Sequence, residues 1–190
     1  AALLPQSAYR AVAAALPRGS SAVWLDQPVE RYLELLRQAF PNRRKVGVLL
    51  GPGSAAMEST LARAASMRGL ELVKGMVYTP SEDLYPALRE VLQSADVLLA
   101  LPEPQLYGGD TLQNILIASY RQRVPMLSYS AAHVRAGATL ALFTPIEQVS
   151  LQVALALRAL QSGRGLPAPE LSQGFGVAVN DQVARSLSLN

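Results

Sequence analysis

Short unbroken apolar runs alternate along this chain with longer stretches in which apolar residues recur at every third or fourth position, the signatures of buried strands and amphipathic helices. Ala22–Leu25 is such a run and reads as a strand buried on both faces. Asp26 follows where a helix start needs an oxygen acceptor for its free N–H groups, and Pro28 suits a first helical turn. Val29, Tyr32, Leu33, Leu36, Ala39 and Phe40 then form one apolar stripe, with Glu30, Arg31, Glu34 and Arg37 on the other face, until Pro41 ends the helix.

The same unit recurs. Lys45–Leu50 reads as a strand, Gly51–Ser54 as a turn, and Ala55–Arg68 as a helix closed by Gly69. Leu70–Tyr78 is the next strand. Thr79-Pro80-Ser81-Glu82 has the spacing of a capping box and opens a helix carrying Leu84, Leu88, Val91 and Leu92. Asp96–Leu101, Val124–Tyr129 and Thr139–Phe143 are further strands, separated by a helix through Leu112, Ile115, Leu116 and Tyr120 and by a short helical turn at Ala131–Arg135. Thr144 to Glu147 repeats the capping box before a long helix reaching Leu160. Neighbouring parallel strands need crossovers rather than tight hairpins, so this alternation predicts an α/β three-layer sandwich around a five-stranded parallel sheet. After the Pro- and Gly-rich connector Ser162–Pro169 come one more strand, Phe175–Val179, and a helix, Asp181–Leu187, capped by Asn180. The expectation is that this last strand returns to pair near Ala22–Leu25.

Composition excludes several classes. With 190 residues, 50% of them hydrophobic and 16% charged, the chain has the material for a substantial core. Its net charge of +3 comes from scattered Arg and Lys, and Arg43-Arg44-Lys45 is the one basic run, so no nucleic-acid partner is expected. The absence of cysteine removes thiolate chemistry, disulfides and cysteine metal sites. No apolar stretch approaches the roughly 20 residues that span a bilayer. The opening AALLPQSAYR lacks the basic start and long apolar body of a secretory leader, which leaves a cytoplasmic protein or one whose leader has been removed.

The segments WLDQPVERYLELLRQAFPNRRKVGVLLGPGS, ADVLLALPEP, VPMLSYSAAHVRAGATLALFT and FGVAVNDQVARSLSL, in this order and spacing, resemble the substrate-binding proteins of ABC transporters, in particular components of the tryptophan and tyrosine type. The resemblance covers roughly residues 3–189. It implies a type I periplasmic-binding fold of two α/β lobes that clasp a ligand, with residues 1–44 and 165–190 supplying a partial first lobe and crossover and 45–164 a complete second lobe. Members usually begin with a complete first lobe, and the expectation is that this sequence holds only its tail. An incomplete lobe leaves an edge and an apolar face at Ala22–Leu25 and Phe175–Val179, which predicts a homodimer through that remnant.

Ligands in open α/β sheets sit beyond the carboxyl ends of the strands, so the loops of interest are Gly51–Ser54, Tyr78–Pro80, Pro102–Tyr107 and Tyr129–Ala131. Ser54 can offer its hydroxyl and the first N–H groups of its helix to an anion, or serve as the helix cap, and these roles are compatible. Tyr78 and Tyr129 can stack on a ligand or pack against the sheet end. Glu103, held between two prolines, can receive a ligand ammonium or stand as a solvated loop acid. Ser130 lies beside Tyr129, and Asp26 and Gln27 fall at the lobe boundary, with Asp26 expected to cap the following helix.

Rival chemistries fare worse. GPGSAA fits the G-x-G-x-x-A turn of a nicotinamide-dependent oxidoreductase, but the next strand ends in Val77-Tyr78-Thr79 without an acid for a ribose hydroxyl. A phosphoacceptor receiver needs acids where Gly51-Pro52 and Leu101-Pro102 stand. The single histidine, His133, is expected to be exposed or at a cleft edge and has no partner serine or second histidine that would make it catalytic or a metal ligand. The residues therefore predict a non-enzymatic binding protein without metal or cofactor, and the resemblance implies a periplasmic solute-binding component of an ABC-type transporter, its leader removed. Its ligand is expected to be a small molecule, an amino acid or related organic solute, held in an interlobe cleft and delivered to an ABC permease. The alternative is a ligand-sensing domain of a regulatory system built on the same fold.

Overall fold

The computed structural model describes residues 2–189. Its elements are β1 (Ala2–Leu4), α1 (Gln6–Val12), β2 (Val23–Trp24), α2 (Val29–Ala39), β3 (Lys45–Leu50), α3 (Glu58–Ser66), β4 (Glu71–Met76), α4 (Pro80–Ser94) and β5 (Val97–Leu99). There follow α5 (Gly109–Arg121), β6 (Met126–Ser128), α6 (Ala131–Ala136), β7 (Leu140–Phe143), α7 (Ile146–Gln161), β8 (Glu170–Leu171), β9 (Gly176–Val179) and α8 (Asp181–Ser186). They form two compact units, one of Val29–Leu142 with the residues from Val177 onward, the other of the residues up to Pro28 with Phe143–Gly176.

The larger unit is built on a sheet of order β4-β3-β5-β6-β7-β9. The five strands expected from the sequence are all present and parallel, with Lys45–Leu50 in register against Glu71–Met76 on one side and with Val97–Leu99 on the other. Strand alternation sends Val46, Val48 and Leu50 to one face, where they meet Tyr32, Leu33 and Leu36 of α2 and Leu61 and Ala65 of α3 in a single core. Each such apolar side chain, fully removed from water, contributes about 1.5–3 kcal/mol. On the opposite face α4 lies close to the backbone. A Cβ on Gly47 would sit 2.6 Å from Val91 Cγ1 and 2.7 Å from Ala95 Cβ, so that contact requires glycine. Helices thus cover both faces, the arrangement that continuous apolar strands demand.

Three local expectations are corrected. Thr79 does not cap α4 through its side chain, and the carboxylate that reaches back belongs to Asp83, which accepts from the Tyr78 and Thr79 amides at 3.0 and 2.7 Å. Thr144 does not cap α7, because its hydroxyl donates to the Leu25 carbonyl at 2.8 Å and accepts from the Gln27 amide at 2.5 Å. Asp26 caps no residue of α2. Its Oδ2 accepts the Gln6 amide at the start of α1 at 2.6 Å, and burial raises its pKa. Asn180 does cap α8, accepting from the Val183 amide at 3.0 Å.

The smaller unit holds a parallel three-stranded sheet of order β1-β2-β8, with Val23 and Trp24 paired to Glu170 and Leu171. The expectation that Phe175–Val179 pairs near Ala22–Leu25 is therefore wrong. Both sides of β2 are taken by β1 and β8, and β9 becomes instead a sixth strand beside β7. The edge invoked for dimer formation is correspondingly filled at β2. Unit boundaries also differ from the expected 44/45 and 164/165, for reasons of packing: α2 packs on α3, α7 packs on β1 and β2, and β9 joins the large sheet.

Candidate functional site

Parallel pairing of β3, β5 and β6 brings their carboxyl ends to one end of the larger unit's sheet. The order β4-β3-β5 also means that the chain changes direction of winding between β3 and β5, the point at which open α/β sheets usually hold their ligands. Two loops meet there. After Leu50 the chain turns tightly, the Ser54 and Ala55 amides donating to the Gly51 carbonyl at 3.1 and 2.8 Å. Ser54 is 1% exposed, accepts from the Gly51 amide at 3.0 Å and donates to Glu103 Oε2 at 2.9 Å. Its hydroxyl caps nothing. A single 3-10 turn, Ala55–Met57, delays α3 to Glu58 rather than the expected Ala55. A Cβ on Gly51 or Gly53 would lie 3.1 or 2.9 Å from the Glu103 carboxylate, so the two glycines make room for that side chain.

Glu103, only 4% exposed, is not a solvated loop acid. Its carbonyl accepts from the Leu106 and Tyr107 amides at 2.9 and 3.0 Å, and this turn carries Tyr107 into the interior. The Tyr107 ring meets Tyr129, at the end of β6, edge-on with centroids 6.3 Å apart. Tyr129 meets His133 edge-on at 4.8 Å, and His133 Nδ1 shares a hydrogen bond with the Ser128 hydroxyl at 2.6 Å. The result is a continuous rim running from the glycine turn through Glu103 to the aromatic residues of β6 and α6.

Its electrostatics follow from burial and one charge. Burial first, then its neighbours Tyr129 and Glu103, raise the Tyr107 pKa, partly offset by the Leu49 backbone; by geometry its hydroxyl is sealed from solvent without a hydrogen bond among the described residues. Tyr129 is pushed up to about 12, by burial and then by the Glu103 carboxylate. Burial lowers the His133 pKa, which favours its neutral form.

The six residues singled out from the sequence fall differently. Ser54 and Glu103 touch, and Tyr129 joins them through Tyr107. Ser130, next along the chain, accepts from the Ala132 amide at 3.2 Å and caps α6. Tyr78 is 73% exposed at the end of β4 and takes no part in the bonded rim. Gln27 belongs to the smaller unit, where its buried amide donates to Thr144 Oγ1 and, at 2.9 Å, to the Gly174 carbonyl. Sequence reasoning missed Tyr107 and Ser128, and it misplaced His133, which is buried. Tyr107 had a signal, its place four residues after a proline-flanked glutamate at a strand end; Ser128 and His133 had none beyond their types. Among the described residues no group of three or more His, Cys, Asp or Glu is placed to hold a metal.

The sequence pattern of the family described as ABC transporter substrate binding protein matches residues 23–186. The chain belongs to that family. Among curated proteins no sequence matches it. Among solved structures, this family member is similar to a conserved domain protein from Vibrio cholerae O1 biovar El Tor, with 22% identity and a TM-score of 0.73 over 90% of this chain and 58% of that one. It is similar also to the ABC domain in complex with L-Trp from Streptococcus pneumoniae, with 14% identity and a TM-score of 0.71 over 90% of this chain and 60% of that one. A ligand-free, open substrate-binding protein with adhesive properties from Clostridium difficile gives 16% identity and a TM-score of 0.71, over 90% of this chain and 58% of that one. The fold is type I periplasmic-binding-protein-like, as likeness to periplasmic solute-binding structures shows. The chain spans about three-fifths of the length of these structures.

Proposed function

We propose that this ABC substrate-binding family member takes a small organic solute at the rim formed by Gly51–Ser54, Glu103 and Tyr129, and hands it to a membrane permease. The reading is supported chiefly by the Ser54–Glu103 hydrogen bond, which ties together the turns after β3 and β5, at the strand ends where open α/β sheets usually hold a ligand. Tyr129, half-buried beside them, supplies an apolar wall, and Ser130 supplies a polar group at the same strand end. In this reading the whole protein works outside the cytoplasmic membrane and clasps its ligand between two lobes, binding and releasing it unchanged. No helix among the described residues is long and apolar enough to cross a membrane. An amino acid or related solute is the first class to try, given that a protein of similar fold carries L-Trp.

A thermal-shift panel of amino acids, nucleosides and small organic acids tests it. A ligand at 100 times its Kd stabilises its binder by about 2.7 kcal/mol, well within reach of such a measurement. At least one class is expected to raise Tm, with the effect weakened by substitution at Tyr129. A flat response across all classes would refute solute binding.

A further inference from the structure

We infer that the solute held at this rim carries a positive charge, because the rim presents the Glu103 carboxyl group, without a cationic partner among the described residues, beside the Tyr129 ring. The inference rests on the solute-binding reading and adds a ligand class to it. Three observations carry it. First, the Ser54 hydroxyl is the one hydrogen-bond donor to the Glu103 carboxylate among the described residues, whereas an ionised carboxylate has about four acceptor sites. Among the described residues Oε1 has no donor, and unlike the Tyr107 hydroxyl it is not wholly sealed from solvent. Second, among the described residues no Lys or Arg is paired with this carboxyl group. The ion pairs among the described residues are Arg68–Glu34 and Lys74–Glu58, and Glu103 is the charged group that acts on both rim tyrosines. His133, kept towards its neutral form by burial, does not supply the missing charge. Third, Tyr129 is half-buried, its hydroxyl without a hydrogen bond among the described residues, and its ring is braced edge-on between Tyr107 and His133. A fixed aromatic ring beside a largely desolvated carboxylate favours an organic ammonium, through cation–π attraction and ion pairing together. The same arrangement disfavours an anion, which would meet the Glu103 carboxyl group, with which no Lys or Arg among the described residues is paired.

The test uses the whole chain in low-salt buffer with phenethylamine, 2-phenylethanol and phenylacetate, three probes of similar shape and different charge, and with choline as a quaternary cation. Phenethylamine or choline is expected to raise Tm and to bind about tenfold or more tighter than the neutral and anionic probes. Glu103→Gln keeps an acceptor for the Ser54 hydroxyl and removes the charge, and is expected to weaken the cation by about tenfold or more. Should that variant not fold, Tyr129→Leu removes the ring and is expected to weaken cation binding roughly three- to tenfold. Equal binding of all three charges, or unchanged cation affinity in both variants, would overturn the charge preference and leave solute binding standing. Silence of both cations while amino acids, nucleosides or organic acids respond would overturn it in the same way. Silence of every compound would remove both readings.

Discussion

His133 shows how one buried side chain converts position into pH dependence. Its Nδ1 is engaged by the Ser128 hydroxyl and its ring is packed against Tyr129, so protonation has to occur on a largely buried ring. Burial lowers its pKa from 6.5, and the unfolded chain therefore takes up a proton before the folded one does. Stability from this group is fully present above pH 6.5 and is lost as pH falls from there through the lower folded value. Tm followed by circular dichroism is expected to decline across that interval, and His133→Asn to flatten the decline. An identical profile in the variant would show that His133 makes no such contribution. Ser54 and Glu103 could be singled out from their places after apolar runs. What one residue does with its hydroxyl could not, because the choice between capping a helix and holding a carboxylate depends on a loop 49 residues away.

Elements were legible wherever a face had to be apolar. The stripe of α2 and the strand Lys45–Leu50 appear as read, since their periodicities arise from burial that any tertiary arrangement must satisfy. Capping boxes at Thr79 and Thr144 failed. Their residue spacing is permissive, and a better-placed acceptor, Asp83, or a distant partner, Leu25, took the bond. The close seat of α4 on β3 was equally invisible, because a glycine within a strand announces only that something approaches. Gly47→Ala is expected to destabilise the protein by about 1–3 kcal/mol through overpacking, since Ala95 Cβ has no rotamer by which to retreat. Urea unfolding reads this as a lower midpoint at unchanged slope, and an unchanged midpoint would show that α4 shifts without cost.

The two units have unequal means of resisting unfolding. The larger has six strands in one sheet and a continuous core drawn from α2, α3 and five parallel strands. The smaller has strands of 3, 2 and 2 residues, and its α7 leaves Leu151, Leu155 and Leu157 more than half exposed, at 58, 55 and 51%. Local opening is easiest where few apolar contacts must be broken. Hydrogen exchange is expected to be fast in α7, β1, β2 and β8 and slowest in β3, β5 and β6; protection of α7 equal to that of β3 would refute this ranking. Whatever depended on local periodicity, namely the alternation of strand and helix, the parallel sheet and the loops that carry the rim, was already written in the order of apolar and polar residues. Pairing partners, unit boundaries and the union of Ser54, Glu103, Tyr107 and Tyr129 were decided only on folding. Strands of two or three residues carry too little pattern to name a neighbour, and contacts between loops far apart in sequence exist only once the sheet between them has formed.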